Sequence, residues 1–236
     1  MKDYININYI DEINDSFNLA VTHKSLDAKL KEDMKKVCDG CGFTFENMTS
    51  NIQIHSDIVN VVDESSICNK VEGDALVTNL KNVPLLIFTA DCVPISIIDN
   101  VNKAIGLVHA GWRGTYEQIS RKTIEKMQEL YKSKPEDLVC IIGPSIGPCC
   151  YEVSKDLIDK FVDRFEKTTD NIYKSRDESV FLNLWSVNKS ILKNSGVKEK
   201  NIHNMNLCTS CTSDEFHSYR KDDKTLGRIG TILEIK

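Results

Sequence analysis

The sequence predicts an α/β (α+β) fold, a mixed β-sheet covered by helices, and three observations carry that expectation. Four short apolar runs at 75–78, 85–89, 94–98 and 104–108 follow one another, separated by turns containing Asn, Pro and Asp. A strand turns successive side chains to opposite faces, so runs apolar at every position belong to a sheet covered on both sides. The segment 115–131 instead repeats at helical spacing, with Ile119, Ile124, Met127 and Leu130 on one face. The two kinds of segment together call for helices layered on a sheet.

The other elements follow in order. Segments 5–9 and 17–21 read as strands, and 28–37 as a helix with Leu30, Met34 and Val37 on one side, closed by Gly40 and Gly42. Segments 52–55 and 58–62 read as a strand pair, or as one strand turned at Ser56-Asp57. A buried strand at 139–142 runs into the Gly- and Pro-rich loop 143–148. Ser154 is placed to cap a helix burying Leu157, Ile158, Phe161 and Phe165, and a further helix at 185–194 ends at Gly196. Strands at 202–207, 216–220 and 228–235 complete the chain. With no internal repeat, low-complexity tract or linker, residues 1–236 are expected to form one domain.

Composition bounds the function. The chain is 41% hydrophobic and 28% charged, ordinary for a soluble protein with a real core. A formal net charge of -5 leaves no broad basic surface, so nucleic acid is not an expected partner; a small phosphate-bearing substrate needs only one or two cations. Residues 1–15 contain no apolar h-region, and the most apolar stretch, 83–98, is interrupted by Asp91 and two prolines. The expected location is cytoplasmic, with no membrane partner. Nine cysteines, an odd count without a secretory signal, point to buried, metal-bound or catalytic thiols rather than a disulfide framework.

The chemistry concentrates in Thr89-Ala90-Asp91-Cys92-Val93-Pro94 and Gly106-Leu107-Val108-His109-Ala110-Gly111-Trp112-Arg113-Gly114. Asp91 and Cys92 follow one buried strand and His109 ends the next but one, so their polar groups converge at a sheet edge. His55, at the end of Gln53-Ile54-His55, is a third candidate. Two imidazoles and a thiolate suit Zn²⁺ and leave a fourth position for water or substrate. The same donors suit copper. Packing is the ordinary role of a buried cysteine and stands beside the ligand reading. Gly111-Trp112-Arg113-Gly114 opens a helix and offers free N–H groups and a guanidinium to an anion, or else simply makes a turn. His217 and Arg220, in the polar run 216–228, are further pocket candidates. Cys38-x-x-Cys41 and Cys208-x-x-Cys211 have the form of a zinc knuckle but not its separation, and Cys149-Cys150 reads as loop packing near the site.

Four blocks in order carry a family resemblance: residues 89–95, 108–115, Ile-Gly-Pro-Ser-Ile-Gly-Pro-Cys-Cys-Tyr-Glu-Val at 142–153, and Phe-His-Ser-Tyr-Arg-Lys-Asp at 216–222. The chain resembles the YfiH family, formerly described as laccase-domain or multicopper polyphenol oxidase proteins, which includes bacterial peptidoglycan editing factor and mammalian FAMIN. The resemblance implies an α-β-β-α layered sandwich similar to the catalytic domain of cytotoxic necrotizing factor, and zinc on His55, Cys92 and His109. It implies phosphorolysis of adenosine, inosine, guanosine and S-methyl-5'-thioadenosine, with adenosine deamination as a companion activity. One departure is Thr22-His23-Lys24-Ser25-Leu26, where the family usually carries an arginine before a Gly-Gly-Val-Ser-like turn.

The expected site therefore comprises Cys92, His109 and Asp91 as catalytic groups and His55, Cys92 and His109 as metal ligands. Arg113, Gly114, His217 and Arg220 are the expected substrate or phosphate contacts. Purine nucleoside and phosphate are the expected partners of a monomer or small homo-oligomer. Three alternatives accompany this reading. Cys92 and His109 form the nucleophile and base of a hydrolase or amidase. Copper supports phenol oxidation, against which the five histidines include no His-x-His pair. Zinc serves folding alone, in an interaction module.

Overall fold

The structure, a computed structural model, describes residues 3–7, 10, 13 and 15–236. In chain order it contains β1 (Tyr4–Asn6), β2 (Phe17–Thr22), α1 (Lys31–Cys41), β3 (Thr49–Ser50), β4 (Val59–Val61), β5 (Ala75–Thr78), β6 (Leu85–Thr89), β7 (Val93–Asp99) and β8 (Ala104–Ala110). These are followed by α2 (Trp112–Tyr116), α3 (Ile119–Tyr131), β9 (Leu138–Ile142), β10 (Glu152–Val153), α4 (Lys155–Phe165), β11 (Tyr173–Arg176), β12 (Ser179–Leu182), α5 (Leu184–Asn194), β13 (Ile202–Asn204) and β14 (Ile229–Ile235).

Two mixed sheets dominate. The first has the order β1-β2-β14-β6-β3 and the second β13-β9-β7-β8-β5-β4; a small sheet β10-β12-β11 stands apart. Strand alternation explains how they stack. Leu19 and Val21 of β2, Leu85 and Ile87 of β6 and Leu233 of β14 face a core shared with Leu76, Ile105, Leu107, Val139 and Ile141 of the second sheet. The intervening residues Ala20, Leu86 and Ile232 face outward onto Met34, Val37 and Cys38 of α1. On the far side, Val77, Ile95, Ile97 and Val108 pack against Ile124 and Met127 of α3, Phe161 of α4 and Ile191 of α5. The layers are thus helix, sheet, sheet and helices, as expected, and the apolar 75–108 run is buried on both faces as its pattern predicts.

Several expected elements shift. The first helix begins at Lys31, because 27–30 is tied elsewhere: the Ala28 N–H donates to the Arg228 carbonyl, and the Arg228 N–H to Asp27 Oδ1. Gly40 lies inside the helix, where a Cβ would stand 2.6 Å from the Tyr4 hydroxyl, and Gly42 ends it at φ 76°. The expected helix at 115–131 is two helices, α2 and α3, broken at Gln118 with φ 58°. The first turn is held by Asn188 of α5, whose Nδ2 donates to Thr115 Oγ1; the second packs on the sheet. Segment 52–55 makes only an isolated bridge, Ile52 to Glu72, and not the strand expected there. Segment 216–220 is a turn rather than a strand, because its polar groups bind a carboxylate instead of a ladder. The strand expected at 5–9 is Tyr4–Asn6, and Tyr9 lies outside the described residues. Among the described residues no helix is long and apolar enough to cross a membrane.

Lys132 closes α3 in the left-handed conformation at φ 59°, its N–H donating to the Met127 carbonyl. A side chain there costs free energy that glycine avoids, partly offset by glycine's looser unfolded state. Lys132→Gly is expected to raise the unfolding free energy by about 0.5–1 kcal/mol, measured by urea denaturation; an unchanged or lower midpoint contradicts this.

Candidate metal centre and cavity

The site forms where the two sheets diverge. β6 belongs to the first sheet and β7 to the second, so the turn Ala90-Asp91-Cys92 crosses between them and leaves Cys92 at the foot of β7. β8 runs antiparallel to β7 with Pro94 opposite His109, which brings His109 to the same end as Cys92. β5 pairs with β8 through Ala75 opposite Val108, so Asp74, one residue earlier, lies beside His109. The His109 N–H donates to the Asp74 carbonyl at 2.7 Å, and His109 Nδ1 donates to Asp74 Oδ1 at 2.7 Å.

Asp74 also shapes the third group. Its carboxylate accepts the N–H groups of Ile54, His55 and Ser56 and the Ser56 hydroxyl. These bonds hold His55 at φ 59°, a conformation that non-glycine residues adopt only when their surroundings enforce it. His55 therefore reaches the site from a tight turn and not from a strand end. Its ring meets that of His109 edge to face, 5.0 Å between centroids.

One ligand atom each from His55, Cys92 and His109 lie within 4.8 Å of one another, and His55 Nε2 is 3.9 Å from Cys92 Sγ. A tetrahedral zinc with ordinary bond lengths separates its nitrogen and sulfur ligands by about 3.6 Å, so the donor set fits that ion. Asp74 fixes the His109 tautomer with Nδ1 protonated, the arrangement typical of a metal-binding imidazole. Gly111 preserves the space: a Cβ there would stand 3.1 Å from Cys92 Sγ and 3.2 Å from His55 Cδ2.

The electrostatics suit a thiolate. Burial alone would raise the Cys92 thiol, but the charge of His109 and hydrogen bonds from His109 and His55 outweigh it and bring the thiol down to about 6. Burial would likewise lower His109, yet Cys92 and Asp74 hold it up at about 9. For Asp74, burial is overcome by His109 and Ser56, and the carboxyl is kept at about 2.

Cys92 and His109 open onto a cavity of about 830 Å³. Phe88, Trp112, Tyr151 and Tyr219 supply aromatic surface, and Lys29, Lys70, Arg220 and Arg228 supply positive charge. Of the sequence candidates, His55, Asp91, Cys92, His109 and Arg220 line this cavity; Arg113, Gly114 and His217 lie outside its lining. Arg113 stacks behind Trp112, its guanidinium carbon 4.5 Å from the ring centroid. Gly114 packs under the His55 turn, where a Cβ would stand 3.1 Å from the Ser56 carbonyl oxygen. His217 covers Gly227 at a distance that admits no Cβ. His23 is buried, and Lys24 binds the Ser213 carbonyl and Asp222, so neither lines the cavity.

Asp91, at φ 87°, accepts from the hydroxyls of Thr209 and Ser218 and from the Arg220 N–H. Its carboxylate anchors the C-terminal turn that carries Tyr219 and Arg220. Sequence reasoning missed Asp74, whose only local signal is an acid next to Gly73 at the start of a buried strand. Cys38 and Cys41, on α1, belong to neither of the two ligand clusters found among the described residues.

Because Asp74 orients one candidate ligand and shapes the turn of another, Asp74→Asn is expected to weaken the binding of added zinc by roughly 10–100-fold, read by competition with a chromogenic chelator. Unchanged affinity rules out the orienting role.

The profile of the family described as multi-copper polyphenol oxidoreductase laccase matches residues 8–236. A purine nucleoside phosphorylase of Clostridium acetobutylicum is 35% identical over 185 residues, covering 77% of this chain and 74% of its own length. The human purine nucleoside phosphorylase LACC1 is 30% identical over 236 residues; the match takes in 98% of this chain but only 53% of the human protein. The crystal structure of the Bacillus licheniformis hypothetical protein YfiH superposes with a TM-score of 0.87 at 26% identity, covering 93% of each chain. The chain belongs to the multi-copper polyphenol oxidoreductase laccase family, the laccase-like YfiH proteins.

Proposed function

We propose that this protein is a zinc-dependent purine nucleoside phosphorylase acting on adenosine, inosine, guanosine and S-methyl-5'-thioadenosine, with adenosine deamination as a second activity. The observation that carries this reading is one cavity holding three things together: the His55–Cys92–His109 cluster, aromatic faces sized for a base, and cations for an anion. The names of the relatives in Clostridium acetobutylicum and human support it.

Phosphorolysis breaks the bond from the purine nitrogen to ribose C1′ and makes a new C1′–oxygen bond to phosphate, while the departing purine takes up a proton. The sugar passes through an oxocarbenium-like state that a nearby anion stabilises. In this cavity the faces of Tyr151, Tyr219 and Phe88 stack on the purine. Arg220 and Arg228 hold phosphate by charge and hydrogen bonds, with Lys29 and Lys70 adding positive potential. This assigns the phosphate to Arg220 rather than to Arg113, whose guanidinium lies behind Trp112. His55, Cys92 and His109 would hold the zinc, which supplies Lewis acidity and lowers the pKa of water, as attack at purine C6 requires. Copper suits the same donors, and the family carries a copper name. Among the described residues the only second ligand cluster is one of four cysteines, whereas coupling one-electron oxidation of phenols to the four-electron reduction of O2 needs several coppers.

Zinc-loaded protein given adenosine and phosphate is expected to release adenine and ribose-1-phosphate in a phosphate-dependent reaction, with inosine as the deamination product, all resolved by chromatography. Cys92→Ala and His109→Ala are each expected to lose about 100-fold or more in turnover. Retained turnover in either variant refutes the site.

One observation favours a second reading: the lowered Cys92 thiol beside a raised His109 is also the pairing of a nucleophile with its base, as in a Cys-His hydrolase or amidase. The two readings diverge in alkylation. Under the phosphorylase reading, iodoacetamide modifies Cys92 in metal-stripped protein from about pH 6 upward, where the thiolate persists, and stoichiometric zinc blocks the reaction. Rapid alkylation of Cys92 in zinc-loaded protein favours the hydrolase.

A further inference from the structure

A second cluster of ligands lies outside the His55–Cys92–His109 centre. The sulfurs of Cys149, Cys150, Cys208 and Cys211 lie within 4.8 Å of one another, with Cys211 at 3.4 Å from both Cys149 and Cys150. All four are free thiols. We propose that they form a closed tetrathiolate zinc site that fastens together two loops of the cavity wall. This proposal is independent of the reaction assigned above.

The distances suit the ion. With Zn–S bonds of about 2.3 Å, the sulfurs of a tetrahedral site stand about 3.8 Å apart, inside the observed range. Packing does not explain the cluster. Cysteine used as a small apolar group is buried, whereas Cys149 and Cys211 are exposed, Cys150 is half-buried and only Cys208 is buried. The soft, compact set of four thiolates, with no carboxylate or imidazole among them, selects zinc over hard cations.

The backbone builds the cluster deliberately from distant sequence. β9 and β13 are parallel neighbours, so the chain leaves both at the same end of the second sheet. Their pairing continues beyond the strands: the Ser145 N–H donates to the Leu207 carbonyl and the Thr209 N–H to the Ser145 carbonyl. That register sets the Cys149-Cys150 loop against Cys208-x-x-Cys211. The N–H groups of Cys211 and Thr212 both donate to the Cys208 carbonyl, closing the turn that brings Cys211 back over Cys208. The Gly147 N–H donates to Cys208 Sγ at 3.2 Å. Amide donors aimed at a ligating sulfur orient it and offset its charge. Gly147 is required for this approach, since a Cβ there would stand 2.7 Å from the Trp185 ring and 3.2 Å from Cys149 Sγ. The excess negative charge of four thiolates on one zinc also has a nearby partner in Arg176, which donates to the Cys149 carbonyl.

The consequence is mechanical. The loop that bears Cys149 and Cys150 brings Ile146 and Tyr151 to the cavity, and the segment that bears Cys208 and Cys211 continues to Tyr219 and Arg220. Among the described residues, the polar ties between them near the cavity include Arg220 Nη1 donating to the Glu152 carbonyl. A four-coordinate ion would add strong links at the outer rim of the same wall.

The test uses the full chain, purified with reductant, in a His55→Ala/Cys92→Ala background that silences the first centre. Expected are one equivalent of tightly bound zinc per chain by mass spectrometry and, after cobalt exchange, the sulfur-to-cobalt charge-transfer band of a tetrathiolate. Cys211→Ser in that background, its folding checked by circular dichroism, loses both. A second readout needs no variant: in the wild-type chain, alkylation of Cys149, Cys150, Cys208 and Cys211 is blocked until a chelator is added, as read by peptide mapping. Absence of zinc and cobalt from the double variant overturns the proposal, as does free alkylation of the four thiols without chelator. A disulfide within the cluster of the reduced protein overturns it equally.

Discussion

The candidate centre depends on one buried carboxylate. Asp74 is fully excluded from water, and an ionised group in that position costs several kcal/mol unless it is completely paired. It is paired by three consecutive N–H groups, a hydroxyl and an imidazole. The same bonds do two separate jobs. They force the left-handed turn that carries His55, and they fix the ring of His109. A neutral residue of the same size would leave several of these donors unpaired at once. The second sheet supplies the position, because the β5–β8 register places residue 74 beside residue 109. The centre is therefore assembled by backbone pairing first and by side chains second.

Asp91 plays the complementary part on the opposite side. It sits in the turn that crosses from one sheet to the other, and its three donors come from a segment more than a hundred residues later in the chain. With both oxygens engaged, it anchors the turn of Tyr219 and Arg220. The two acids thus divide the cavity: Asp74 organises the His and Cys end, and Asp91 organises the aromatic and cationic end.

This division explains what could be read from sequence. The strands at 75–108 were legible because burial on both faces leaves an unbroken apolar pattern, and the helix at 155–165 because Ser154 caps it. The break at Gln118 was not legible: apolar residues keep helical spacing through it, and the side chain that holds the first turn, Asn188, is distant in sequence. Segment 216–220 imitates a strand by alternation, yet the Ser218 hydroxyl and the Arg220 backbone N–H both donate to Asp91 instead of to a ladder. His55, Cys92 and His109 were candidates from their places at strand ends and their donor chemistry, but no compact spacing joins them, and the family resemblance carried the ligand reading. Asp74 escaped because its role lies in strand register, and register is not written in any local motif. The four clustered cysteines escaped for the same reason. Cys208-x-x-Cys211 was visible, but its partners were sought in the similar pair at Cys38 and Cys41, whereas β9 and β13 deliver it to Cys149 and Cys150.

Charge placement bears on which anion the cavity admits. The chain carries a formal net charge of -5, so its far field repels polyanions and offers no extended basic surface. Lys29, Lys70, Arg220 and Arg228 nevertheless share one cavity. Among the described residues Asp91 is the only carboxylate in its lining, and its oxygens accept from two hydroxyls and a backbone N–H rather than from the cationic side chains. A screened field of this kind acts within about 10 Å at moderate salt. It favours a compact anion that has already entered over a long one approaching from solution. The aromatic faces then select what enters beside the anion, because a flat base gains contact area there that a hydrated ion lacks. Under the proposed function, a small phosphate next to a stacked base would satisfy both halves of the cavity at once.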